Sequence, residues 1–338
     1  MTNETNKACC TTDCCGGEKS AAVTRAALDT RGVVDAVKDD AVREKVREKV
    51  REGYAKIAQT GSWSALQQAS GTPARAGCCG GGGEAKAGGG CCGPATFSPA
   101  QLAAAIGYSQ SELANAPDAS NMGLSCGNPT ALASLQAGEV VVDLGSGGGF
   151  DCFIAGPKVG ASGRVIGVDM TPSMITLSRK NVGSYTKQTG LNNVEFRLGE
   201  IENLPIADGS ADVLISNCVL NLSPDKGRVW QEIARVLKPG GRVAVSDLAL
   251  LRPLPAGVLA DVEALVGCVS GAVMVEETRA QAVAAGLIEI VLKAKAEYID
   301  AMTNWEDPLY QKIVAALPAG SKPSDYITSL DVSARKAR

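Results

Sequence analysis

Residues 139–151 read EVVVDLGSGGGFD, a run of β-branched residues that ends on Asp143 and then breaks into four glycines, Gly145, Gly147, Gly148 and Gly149. The apolar run reads as a buried strand. Glycine beyond its end lets the backbone turn sharply and approach a ligand closely. In a doubly wound α/β fold, such a turn lies at the carboxyl edge of the sheet, where ligands bind. A dinucleotide fingerprint would want glycine or alanine three residues after Gly147. Phe150 stands there instead, which disfavours NAD.

Downstream, short apolar runs alternate with helical stretches. The runs are GRVIGVD (163–169), NVEFRL (193–198), ADVLISN (211–217) and GRVAVSDL (241–248). Between them lie TPSMITLSRKNV (171–182) and KGRVWQEIARVL (226–237), so the fold class is α/β with a doubly wound, mainly parallel sheet. Upstream, DDAVREKVREKVREGYAKIA (39–58) sets Val42, Val46, Val50, Tyr54 and Ile57 on one helical stripe. Its charges read as a solvated face. Residues 77–93, GCCGGGGEAKAGGGCCG, have almost nothing to pack and read as a mobile linker. The first twenty residues carry Cys9-Cys10 and Cys14-Cys15 in a polar arm without core-forming content. Past Leu251 come Ala-rich helices, a strand around 288–292 and a helix near 307–316. The expected division is a disordered Cys-rich tail (1–38), an amphipathic helix and Gly/Cys-rich linker (39–95), the ligand-binding α/β domain (96–250) and a smaller α+β region (251–338).

Composition narrows the chemistry. The 338 residues are 45% hydrophobic and 20% charged, as in ordinary globular proteins, and the net charge of -3 provides no basic field for nucleic acid. No apolar run approaches the ~20 residues of a membrane span, and MTNETNKACC lacks signal-peptide features, so a cytoplasmic protein without membrane association is expected. There are twelve cysteines and no histidine. In a reducing compartment the thiols favour soft-ion or redox chemistry over a disulfide framework. The lack of imidazole excludes Ser-His and Cys-His nucleophiles and His-ligated zinc.

Asp169 ends the second strand, where a carboxylate can accept both hydroxyls of a ribose, and Met170 offers an apolar plate to an adenine. Glu200 and the Ile201 backbone, in GEIENLP, face the adenine edge. Asp143, the glycine loop, Asp169, GEIE and the segment LKPGGRVAVSD (237–247) together resemble the class I methyltransferase family. That resemblance implies a Rossmann-like fold and S-adenosylmethionine as cosubstrate. The cosubstrate set it implies is Asp143 near the methionine amino group, Gly145, Ser146, Gly147, Asp169, Met170, Glu200, Ile201 and Asn217.

Three single cysteines fall where such a fold opens: Cys126 before the first strand, Cys218 after the fourth and Cys268 beyond the core. Trivalent arsenic is soft and thiophilic, so three thiolates can replace its three oxygens and leave one lone pair directed outward. That lone pair carries no proton and needs no base, which suits a chain without histidine. Cys152, among apolar neighbours on the helix after the glycine loop, reads as core.

The segments NMGLSCGNP (121–129), VDLGSGGGFDCF (142–153), VIGVDMTPSMI (165–175), FRLGEIENLP (196–205), ISNCVLNLSPDK (215–226) and VGCVSGA (266–272) are similar to those of bacterial arsenite methyltransferases. The resemblance runs from about Tyr54 to Leu292. It implies Cys126, Cys218 and Cys268 as arsenic-binding thiols, the C-terminal region completing the arsenic site, and no tightly bound metal. It also implies an upstream cysteine that forms a disulfide after methyl transfer, with Cys91 or Cys92 in that region and Cys78 and Cys79 as a further pair. Thioredoxin or glutathione would then reset the thiols. Two other readings stay open: a methyltransferase for a small organic acceptor, and a thiol-rich protein that sequesters metalloids.

Overall fold

The computed structural model describes residues 40–63, 65–66, 98–259, 266 and 268–338. The cysteine pairs at 9–10, 14–15, 78–79 and 91–92 lie outside the described residues, and with them the expectations for tail, linker and relay thiol. Helix α1, Asp40–Thr60, follows the expected stripe: Val50 and Ile57 are buried, Val46 is half-buried and Val42 is exposed. Two short helices come next, α2 (Pro99–Ala105) and α3 (Gln110–Asn115), each started by a capping box, Ser98 with Gln101 and Ser109 with Glu112. In each, serine satisfies a free N–H of the first turn and the N3 side chain answers the cap's own N–H.

The glycine-broken run forms β1, Val140–Leu144, with Val141 through Leu144 buried. It leads into α4, Phe150–Val159. Next come β2 (Arg164–Asp169), α5 (Pro172–Thr189), β3 (Val194–Leu198), β4 (Ala211–Asn217), α6 (Lys226–Val236) and β5 (Leu237–Leu250). The chain closes with α7 (Val275–Ala284), β6 (Leu287–Lys295), α8 (Glu297–Asn304), α9 (Pro308–Ala316) and β7 (Ile327–Lys336).

The seven strands stand in the order β3-β2-β1-β4-β5-β7-β6. The first five are parallel, Val142 lying opposite Ile166 on one side and Leu214 on the other. β7 runs antiparallel between β5 and β6, so the sheet crosses the division expected after residue 250, with partners from Arg242↔Arg335 to Leu250↔Ile327. Helices cover both faces, which explains the continuous apolar runs of the parallel strands. Trp230, Ile233 and Val236 of α6 pack on one face against Leu144 and Leu214. Phe153, Ile154, Tyr185 and Phe196 fill the other. Because the chain winds outward from β1 to β3 and then returns to β4 and β5, a crevice opens above the carboxyl ends of β1 and β4. No helix among the described residues is long and apolar enough to cross a membrane.

One core contact sets a stability prediction. A Cβ at Gly156 of α4 would stand 2.1 Å from the Tyr185 Oη, and that hydroxyl donates to Asn193 Oδ1 at 2.8 Å. Gly156→Ala is therefore expected to lower stability by about 1–3 kcal/mol through overpacking, although alanine is the better helix former. Thermal unfolding measures it, and an unchanged or higher Tm would show that helix propensity wins.

Candidate active site

At the end of β1, Gly145 turns with φ +63°, and a Cβ there would lie 2.4 Å from the Val219 side chain. Only glycine lets this turn meet the segment after β4. Beside it lies a cavity walled by Gly145, Asp169, Met170, Ile201 and Glu202, together with Arg47 and Tyr54 of α1. Asp169 is buried, and its two oxygens accept from the backbone N–H of Gly147 at 2.9 Å and Thr171 at 2.8 Å. Burial raises the pKa of its carboxyl, while those N–H groups act in the opposite direction. The carboxylate is held in one orientation, and its remaining lone pairs are free to accept from ligand hydroxyls.

A second cavity adjoins the first at Gly145, Val219 and Tyr54, and is walled by Asp143, Ser146, Gly147, Asp151, Asn217 and Cys218. The Ser146 Oγ here is buried without a hydrogen-bond partner. An orphaned hydroxyl of this kind suits a polar ligand group. Asp143 and Asp151 are both buried, and burial followed by their mutual repulsion holds the Asp143 carboxyl well above the usual range. A protonatable acid pair between glycine loop and β4 fits the ammonium end of an amino acid. The residues present therefore fit S-adenosylmethionine.

The charged face of α1 is not simply solvated, contrary to the reading from its sequence. Arg43, Arg47 and Arg51, four apart on one face, meet acids that lie beside the first cavity. Arg43 stands 3.2 Å from Asp225, Arg47 lies 3.6 Å from Glu202 and 3.7 Å from Glu200, and Arg51 lies 3.7 Å from Glu200. Glu200 is thus engaged with α1, while Ile201 and Glu202 form the cavity wall.

Cys126, Cys218 and Cys268 are buried and belong to one apolar cluster. Cys126 and Cys218 are joined as a disulfide, with Cα atoms 6.0 Å apart. The expected preference for free thiols over disulfides does not hold for this pair, whose separation lies within bridging range. The Cys268 thiol donates to the carbonyl of Cys218 at 2.7 Å. Burial first, then the nearby Asp247, push that thiol well above its usual pKa. Cys218 and Cys268 both adopt left-handed backbone, φ +55° and +63°. Non-glycine residues take that conformation at an energetic cost, and such residues cluster at functional sites. Cys126, Cys218 and Asp247 each present a donor atom within 4.8 Å of the others.

The methyltransferase domain family matches residues 135–306. The arsenite methyltransferase of Halobacterium salinarum is 44% identical over 231 residues, 68% of this chain and 55% of its own length. The human arsenite methyltransferase is 42% identical over 120 residues, 34% of this chain and 32% of its own. A solved arsenic(III) S-adenosylmethionine methyltransferase from Chlamydomonas reinhardtii superposes with a TM-score of 0.51 at 30% identity, covering 70% of this chain and 73% of that one. The chain belongs to the arsenite methyltransferase family. It spans about half the length, or less, of these curated relatives.

Within this family member, Asn217 does more than line the second cavity. Its amide oxygen accepts from the Cys126 N–H at 3.0 Å, and its nitrogen reaches the Gly127 carbonyl at 2.9 Å and Asp151 at 3.0 Å. It ties the Cys126 loop to the helix that follows the glycine loop. Cys152 is fully buried, and its thiol donates to Asp143 at 3.2 Å, as a packed core residue would. Sequence reasoning missed Tyr108, which donates to Asp151 at 2.5 Å, and Asp247. It also missed Tyr54 as a wall of both cavities. Asp247 was findable: it follows an apolar run in VAVSD as Asp143 follows VVV and Asp169 follows VIGV. Burial lifts its carboxyl to about 6, while backbone N–H donors restrain the rise.

Proposed function

We propose that this chain transfers a methyl group from S-adenosylmethionine to trivalent arsenic held by Cys126, Cys218 and Cys268. The observation that carries the proposal is three buried cysteines from three separate segments gathered in one cluster, with Cys218 on a cavity wall shared with the glycine loop and two of the three on left-handed backbone. Bound S-adenosylmethionine supplies a methyl group on a sulfonium. Asp169 accepts the ribose hydroxyls, Met170 and Ile201 flank the adenine, and Ser146 with Asp143 faces the amino acid end. Each thiol exchanges one As–O bond for an As–S bond, its proton leaving with the hydroxide as water. The arsenic lone pair then faces the methyl-bearing side, and catalysis comes chiefly from holding the reactants in line. No proton leaves the nucleophile, which agrees with a chain that contains no histidine.

Methyl transfer raises arsenic to the pentavalent state, and two thiols joining as a disulfide return the two electrons. The Cys126–Cys218 bond is one such pair within reach. Cys91 or Cys92 is the upstream relay in this proposal, and thioredoxin or glutathione the reductant that reopens the bond. Purified protein given arsenite, S-adenosylmethionine and a thiol should yield methylated arsenic by mass spectrometry. Turnover of a phenolic or quinone acceptor, with none of arsenite, overturns the proposal.

The cosubstrate half is tested separately. Asp169→Ala is expected to weaken S-adenosylmethionine binding by about 1.5–3 kcal/mol, since charge-assisted hydrogen bonds to the ribose are lost. Arsenite binding to the thiols should persist. Calorimetry with an unchanged cosubstrate affinity would remove Asp169 from the site.

A further inference from the structure

Helix α1 belongs to two places at once. Its Arg47 and Val50 wall the first cavity, and its Tyr54 lines the first, the second and a third cavity that has Cys218 and Cys268 in its wall. Two adjacent residues seat the helix against the segment that carries Cys268. Gly53 permits a close approach, since a Cβ there would stand 2.7 Å from the Val266 Cγ2. The Tyr54 hydroxyl donates to the Val266 carbonyl at 3.1 Å. That hydroxyl also lies within hydrogen-bond reach of the Cys268 thiol.

The protons at this junction have defined places. The Cys268 thiol directs its own at the Cys218 carbonyl, 2.7 Å away. Burial of the hydroxyl, and then Cys268, push Tyr54 well above its usual pKa, so it keeps its proton and remains a donor. Burial first, then Asp247, raise the Cys268 thiol, whereas the contact with Tyr54 and the Lys226 ammonium draw it down. Tyr54 therefore favours the sulfur in its proton-free form, the form that binds a soft ion.

We infer that Tyr54 is a positioning residue for the arsenic site, its hydroxyl donating to the Cys268 sulfur once that sulfur has exchanged its proton for arsenic. The inference rests on the proposed function above and deepens it. In the exchange an As–O bond gives way to an As–S bond, and the thiol proton leaves with the hydroxide as water. The sulfur can then only accept. Rotation of the Tyr54 hydroxyl about its C–O bond turns its hydrogen from the Val266 carbonyl to the sulfur, and no proton leaves the tyrosine. Hydrogen bonds of this kind orient the groups that hold a metal ion, and their loss costs about 10–100-fold in affinity.

Tyr54→Phe separates the two duties of the side chain, because the ring that walls the cosubstrate cavities stays and only the donor goes. The full chain is assayed with arsenite and S-adenosylmethionine, and KM is read for each. The bond to sulfur exists before and during methyl transfer, so its loss should raise the arsenite KM roughly tenfold or more, with kcat within about threefold. KM for S-adenosylmethionine should stay within about twofold. A purely structural tyrosine would lower Tm and move both KM values together or neither, and either pattern overturns the inference. Should Tyr54→Phe fail to fold, Gly53→Ala keeps the hydroxyl but pushes α1 off the Val266 side chain. It is expected to raise the arsenite KM alone, by about threefold or more; an unchanged value, or a rise shared equally by both substrates, overturns the inference. An unsubstituted chain that does not methylate arsenite refutes the proposed function, whereas normal turnover with an unaltered arsenite KM in Tyr54→Phe refutes only the role of Tyr54.

Discussion

Cys218→Ser and Cys268→Ser are each expected to abolish methylation of arsenite while leaving S-adenosylmethionine binding near normal. Serine is close to cysteine in shape, but its hydroxyl stays protonated at neutral pH and is a hard ligand, so arsenic loses a soft donor. Both positions lie on left-handed backbone, and serine meets the same backbone cost there as cysteine, so the local fold should persist. Cys126→Ser should also fail with arsenite, yet retain turnover of methylarsonous acid, which needs two thiolates. Cys152→Ser provides the contrast: its thiol is fully buried against Asp143, and the substitution should cost some stability while the chemistry continues. Arsenic binding, cosubstrate binding and turnover are measured on all four variants. Wild-type rates with arsenite from each of Cys126→Ser, Cys218→Ser and Cys268→Ser would dismiss the three-thiolate site.

The sheet was legible where burial on both faces forces continuous β-branched runs, as in VVVDL and RVIGVD. β7 was not. In ITSLDVSARK the buried stretch includes Thr328 and Ser329, whose hydroxyls donate to the carbonyls of Ser329 and of the distant Cys126, so no apolar run marks it. Only Leu330, Val332 and Ala334 alternate, and too briefly to separate strand from loop. The helical period of α1 was equally plain, but the partners of its arginines come from positions some 150–180 residues away, which no local pattern reports. The cysteines were readable as a set because arsenic chemistry selects that residue type. Their backbone strain and the Cys126–Cys218 bond depend on how β4 and β5 meet, which the sequence leaves implicit.

That meeting point governs the second large effect, expected for Asp247→Ala. Cys218 donates its N–H to the Ser246 carbonyl at 2.8 Å, and the residues after it are gathered by the Asp247 carboxylate. Asp247 accepts from the N–H groups of Val219 at 3.1 Å and Asn221 at 3.4 Å, and from the Asn221 amide at 2.9 Å. Alanine would strand buried donors, at a cost on the order of 2–4 kcal/mol in stability, visible as a lower Tm. It would also free the turn that holds Cys218 at φ +55°, a conformation the chain leaves once the constraint goes. Even a displacement of about 1 Å at a reacting centre costs around a hundredfold in rate. Asp247 lines neither of the two cosubstrate cavities, so S-adenosylmethionine affinity should change little while kcat for arsenite falls by about two orders of magnitude. Equal kcat in a folded Asp247→Ala variant would mean that the Ser246 carbonyl alone suffices to hold the Cys218 thiol in place.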